Sequence, residues 1–182
     1  MHRRTLLAGA AFAPLAAPRG AAAQTMDYPT RPVTMVVAFP PGGQADLAAR
    51  PTAAAMERIL RQPVVVQNRG GAAGALGNAF VARSAPDGYT LLMALSSLAV
   101  IPEAEKLFGR TPPYTVDQFA PIALVNADPT MLAVPASAPW RTMEEFIAAA
   151  RANPGNIPYG SSGTYGTLHV AMEMLAASAG IR

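Results

Sequence analysis

Between Val33 and Phe39 the chain reads Val-Thr-Met-Val-Val-Ala-Phe, with almost no polar side chain. A strand with one solvated face alternates apolar and polar residues. A run this uniform suits a strand covered on both faces, the situation at the middle of a parallel sheet. Parallel neighbours require crossover connections, so helices should separate this strand from its partners. The next residues fit that demand. A Pro-Pro-Gly-Gly loop (Pro40–Gly43) precedes a helix running to about Gln62, with Asp46 expected as its cap. Pro51 falls inside that helix and should cost about 3 kcal/mol unless it sits in the first turn. Val64 to Gln67 reads as a second strand, Gly70 to Gly74 as a loop, and the following stretch as a helix to about Arg83. The turn Ala85-Pro86-Asp87-Gly88 then leads into a third strand, Tyr89 to Leu95. The order is βαβαβ, and the fold class is α/β.

A second unit follows an irregular stretch from Ser96 to Gln118. Ala120 to Asn126, Thr130 to Val134 and Ile157 to Ser161 read as strands. Thr142 with Glu145 forms a capping box for a helix to about Ala152, which Asn153-Pro154-Gly155 ends. A last helix runs from the Ser162–Gly166 loop to about Ala179. The boundaries expected are a targeting segment over residues 1–23, a first lobe over 24–119 and the start of a second over 120–182.

The N-terminal segment sets the compartment. Arg3 and Arg4 open it, Leu6 to Ala17 is a short apolar stretch, and Ala21-Ala22-Ala23 suits cleavage. That is a secretory signal, too short and proline-broken to span a bilayer, and Arg3-Arg4 admits the twin-arginine route as well as the Sec route. The periplasm is the expected location. Arg3, Arg4 and Arg19 leave with the signal. Taking these three from the 14 basic residues leaves a balance against the 11 acidic ones, so the whole-chain charge of +3 gives no support for nucleic-acid binding. With no cysteine, disulfides and thiolate chemistry are excluded. Nothing points to a cofactor.

Two strands end alike. Phe39-Pro40-Pro41-Gly42-Gly43 and Tyr159-Gly160-Ser161-Ser162-Gly163 each place a small-residue loop between a strand and a helix N-terminus. Such loops let backbone N–H groups approach a ligand, and the first helical turn attracts anions. Two facing loops, with charge-assisted hydrogen bonds of about 1.5–3 kcal/mol each, reach the roughly 8 kcal/mol of micromolar binding. Ordinary βα turns would read the same way, so the loops alone do not decide the matter.

A set of short motifs does. Tyr28-Pro29-Thr30-Arg31-Pro32-Val33, Phe39-Pro40-Pro41-Gly42-Gly43 with Asp46 and Ala49-Arg50, Gln62-Pro63-Val64-Val65-Val66 and Asn68-Arg69 with Gly71 and Gly74 occur in order. Ala85-Pro86-Asp87-Gly88-Tyr89-Thr90, Phe119-Ala120-Pro121-Ile122, Ala152-Asn153-Pro154-Gly155 and Tyr159-Gly160-Ser161-Ser162-Gly163 with His169 follow. From about Tyr28 onward the chain resembles the Bug family, extracytoplasmic solute-binding proteins of tripartite tricarboxylate transporters. The resemblance implies a two-lobed clamp like that of periplasmic binding proteins, a small carboxylate ligand in the interdomain cleft, and membrane permease subunits as partners. By position it implies ligand contacts at Pro40, Pro41, Gly42, Gly43 and Asp46, at Ser96 and Ser97, and at Ser161, Ser162, Gly163, Thr164 and Thr167, with His169 nearby. It also implies a longer chain, monomeric when complete, that returns to finish its first lobe. This sequence is expected to be truncated within the second lobe, the product of a shortened or split gene, with sheet edges uncovered and weak binding. Departures from the family pattern are Gln67 for a usual Glu, Gly70 for a usual proline, Pro51, and the apolar Leu98-Ala99-Val100-Ile101.

Other readings compete for the same residues. A sensor for a membrane signalling partner would use the same clamp. A serine hydrolase would use Ser161 or Ser162 with His169, but Thr164 breaks the G-x-S-x-G pattern. His169 and Glu173 lie one helical turn apart, and two ligands are too few for a metal site. Trp140 reads as a packing residue.

Overall fold

The computed structural model describes residues 27–182; the expected signal segment, residues 1–23, lies outside the described residues. The elements are β1 (Val33–Val37), α1 (Gln44–Leu60), β2 (Val64–Asn68), a 3-10 turn (Ala72–Gly74), α2 (Ala75–Ala82), β3 (Thr90–Met93), α3 (Ser97–Leu107), a second 3-10 turn (Val116–Gln118), α4 (Met143–Ala152) and α5 (Thr167–Ala179). The three strands form one parallel sheet in the order β2-β1-β3. Val33 pairs with Val64 and Val37 with Asn68 on one side, and Thr34 with Thr90 and Val37 with Met93 on the other.

The apolar run behaves as its composition requires. Val33, Val36 and Val37 are wholly buried, and each contributes roughly 1.5–3 kcal/mol by leaving water. Val33, Met35 and Val37 share a cluster with Ala45, Ala49 and Ala53 of α1. Those alanines recur every four residues, so α1 presents a stripe of small side chains that lets it lie close to the sheet. Val36 faces the other way, and α2 packs against β1 and β3.

Pro51 does not break α1. It lies on the exposed side of the continuous helix, where the Leu47 carbonyl deprived of its N–H partner can turn to water. A second correction concerns Ser96 to Gln118, expected to be irregular. Its first part, Ser97–Leu107, is α3, with Ile101 and Pro102 buried against the rest of the first lobe. Pro102 hides the helical pattern in the sequence.

The first lobe has a second cluster, in which Ala73, Ala79, Ile101 and Tyr114 are joined by Leu98, Phe119 and Tyr165. The second lobe is built on α4 and α5, which pack through Phe146, Ala150, Ala179 and Ile181. Trp140 meets Phe146 edge to face at 5.4 Å, the packing role expected of it. Thr142 caps α4 by accepting from the Glu145 N–H (3.2 Å), and Glu145 reaches back to the Arg141 N–H (2.6 Å), one residue before the partner a capping box prescribes. Arg151 closes the end of α5 with two bonds to the Ala179 carbonyl, at 3.0 and 2.6 Å.

The strands expected at Ala120–Asn126, Thr130–Val134 and Ile157–Ser161 do not form. A strand exists only as one side of a ladder, and among the described residues no ladder partner lies beside these runs. Ile122, Leu124 and Met131 are consequently 81%, 83% and 84% exposed.

Candidate functional site

In the order β2-β1-β3, the chain leaves β1 toward one neighbour while β3 lies on the other side. The loops after β1 and β3 therefore diverge, and the crevice between them at the carboxyl ends of the strands is where open α/β sheets bind ligands. Two helices begin at this crevice: α1 after Gly43 and α3 after Ser96. The second lobe brings a third, because the Thr167 hydroxyl at the start of α5 lies 2.8 Å from the Ser96 hydroxyl.

The N-caps of these helices are Gly43, Ser96 and Gly166, and none makes a side-chain cap hydrogen bond. The leading N–H groups of α1 and α5 thus remain available as donors, with the positive end of each helix dipole behind them; in α3 the Leu98 and Ala99 N–H groups already donate to the Leu95 and Ser96 carbonyls (3.0 and 3.1 Å), which leaves Ser97. Gly42, at φ +77°, gives the first loop a left-handed turn that a side chain would resist. Gly163, at φ +107°, comes so near the first lobe that a Cβ there would lie 3.4 Å from the Ala73 Cβ. No hydrogen bond among the described residues joins Pro40–Gly43 to Ser161–Thr164; the lobes meet here through Ala73, and at the first helix through Gln44, whose amide donates to Asp128 (2.7 Å).

Asp46 is not the cap of α1. It is the third helical residue, and its buried carboxylate is fully engaged within the first lobe. Oδ2 accepts from the Gly42 N–H and Arg50 Nε, both at 2.9 Å; Oδ1 accepts from Arg50 Nη2 (3.0 Å) and Asn68 Nδ2 (2.9 Å). The Arg50 guanidinium foremost, then the Gly42 N–H and Asn68, hold this carboxyl down at about 2 against the opposing effect of burial. Asn68 also donates to the Phe39 carbonyl at 3.1 Å, tying the end of β2 to the end of β1. Asp46 therefore shapes the Pro40–Gly43 loop, and its charge is already matched by Arg50. Arg50 and Asn68 were absent from the expected site. The i, i+4 spacing of Asp46 and Arg50 was the available signal for one of them.

The remaining expected residues divide by what their side chains do. Pro40 and Pro41 are exposed on the first loop, and the Pro40 carbonyl accepts weakly from Gly43 N–H (3.4 Å). The Ser97 hydroxyl is buried and donates to the Ala73 carbonyl (3.0 Å), so it braces the loop after β2 instead of facing the crevice. Ser161 Oγ accepts from Gly163 N–H (3.3 Å), while Ser162 and Thr164 are exposed. His169 Nδ1 accepts from the Tyr165 N–H (3.3 Å), and its Nε2 lies 3.9 Å from Glu173. No hydrogen bond among the described residues links His169 to Ser161 or Ser162, the contact a hydrolase would need.

The same architecture is found in known proteins. The family model for the tripartite tricarboxylate transporter family receptor matches residues 48–182. The UPF0065 protein of the tcbD–tcbE intergenic region of Pseudomonas sp. (strain P51) is 38% identical over 98% of this chain and 52% of its own length. Among solved structures, the periplasmic binding protein BugD is 33% identical with a TM-score of 0.68, over 85% of this chain and 51% of that one. Malate-bound MatC from Rhodopseudomonas palustris is 28% identical with a TM-score of 0.73, over 85% of this chain and 52% of that one. The chain spans about half the length of the relatives it matches. The chain belongs to the tripartite tricarboxylate transporter receptor family.

Proposed function

We propose that this chain carries the ligand-capturing loops of a periplasmic solute-binding protein for a small carboxylate, serving the membrane permease subunits of a tripartite transporter. The convergence of three helix N-termini without side-chain caps on one crevice, bridged by the Ser96–Thr167 hydroxyl pair, carries this reading. The crevice offers mainly donors. An anion gains there about 0.3–1 kcal/mol from each dipole and about 1.5–3 kcal/mol from each charge-assisted hydrogen bond. A carboxylate with one group toward α1 and another toward α5 uses both lobes, and no free cation is required. Malate-bound MatC supports this ligand class. Gly42, Gly43, Ser96, Gly163 and Thr167 are the positions proposed to meet the ligand. Lobes over 24–119 and 120–182, and export of the chain by the Sec or twin-arginine route, belong to the same proposal.

The test is a titration of the folded chain with malate and with its neutral diamide, followed by amide chemical shifts. Because the chain spans about half its relatives, affinity nearer millimolar is expected, about 4 kcal/mol. Malate should saturate and the diamide should bind at least about tenfold more weakly. Equal response to both compounds would sink the carboxylate reading.

A further inference from the structure

Tyr165 sits in the second-lobe loop, yet its ring belongs to the first lobe. It packs with Ala73, Ile101, Leu98 and Phe119 in the cluster between α2 and α3, and stacks on Phe108 just past α3 at 5.9 Å and 29°. Phe108 is itself held by the Arg110 guanidinium, 5.3 Å from its ring centre, which the Glu105 carboxylate pins at 2.6 Å. The backbone at Tyr165 is left-handed, φ +63°. A bulky residue persists there only where its surroundings over-determine it. Two restraints do so: the ring's seat across the lobes, and the Tyr165 N–H donated to His169 Nδ1 in the first turn of α5. Two residues later Thr167 Oγ1 meets Ser96 Oγ.

We infer that Tyr165 is a positioning residue, an aromatic anchor from the second lobe seated in the first, which sets where Thr167 and the start of α5 stand opposite Ser96. Its effect on ligand rests on the carboxylate reading; its effect on the loop does not. A tyrosine serving only as filler has no need of a strained backbone, whereas an anchor that must turn back from the loop into the other lobe does. Phe at this position keeps the ring and the seat. Ala keeps the strain and loses the seat, and Gly relieves the strain and also loses the seat.

The experiment compares the full chain with Tyr165→Phe, Tyr165→Ala and Tyr165→Gly, reading amide hydrogen exchange without ligand and malate affinity separately. Tyr165→Phe should stay within about twofold of the parent in both. Tyr165→Ala and Tyr165→Gly should speed exchange at residues 161–168 by about tenfold or more and weaken malate by a similar factor, with exchange in β1 unchanged. Loop exchange unchanged in both variants would overturn the inference, as would a loss of protection spread evenly through β1. Should Tyr165→Ala fail to fold, Tyr165→Gly against Tyr165→Phe makes the same comparison. If the parent chain binds no malate while the exchange pattern holds, the carboxylate reading fails and the anchor stands.

Discussion

Asp46 shows how much a single residue's neighbours decide. An aspartate after a glycine pair and before a helix reads as a cap, yet it falls at the third helical position, where its carboxylate reaches back to Gly42 and across to Arg50 and Asn68. The distinction has a measurable consequence. The folded-state pKa is lowered from the ordinary 3.8 to about 2, so the ionised carboxylate favours the folded state. That contribution is complete above about pH 4 and is lost as pH falls through about 2. Asp46→Asn should lower the melting temperature by several degrees at pH 7 and by progressively less toward pH 2, which melting curves across that range will show. A constant difference at every pH would mean that the charge is not what stabilises the loop. Ser97 carries the same lesson: its sequence position suggests a ligand contact, and its burial commits the hydroxyl to Ala73.

At the scale of elements, legibility followed how local the cause is. The strands of the sheet and helices α1, α2, α4 and α5 were readable because uniform apolar runs, alanine spacing, the Thr142 cap and the Asn153-Pro154-Gly155 stop act within a few residues. Helix α3 was not readable, because Pro102 and the apolar Leu98–Ile101 mask its period, and only packing of Ile101 and Pro102 makes it worthwhile. Ala120–Asn126 failed in the opposite sense. Its pattern suits a strand, but pairing is a property of two segments and cannot be read from one. Since Pro51 is exposed in mid-helix, Pro51→Ala should restore the bond to the Leu47 carbonyl and raise stability by about 1–3 kcal/mol in a urea titration. No gain would show that the helix had already relaxed around it. The crevice was legible as two glycine loops, while its link through Ala73 and the Tyr165 anchor depends on how the lobes meet.

For the whole molecule, the exposed faces matter as much as the crevice. Ile122, Leu124 and Met131 are exposed on segments without a ladder partner among the described residues, an arrangement that invites association with another chain. Replacing Ile122 and Leu124 by lysine should reduce concentration-dependent self-association in sedimentation experiments and leave the β1 core intact. Unchanged association would place the sticky surface elsewhere. Two lobes contribute three helix starts to the crevice proposed to hold the anion. The most direct measurement is a map of which backbone amides move when malate is added to the folded chain. The largest shifts should fall together on Gln44–Asp46 at α1, Ser97 at α3 and Thr167–His169 at α5, saturating along a single curve. Shifts confined to one of these helix starts, or scattered over the second-lobe surface around Trp140, would contradict a shared anion site.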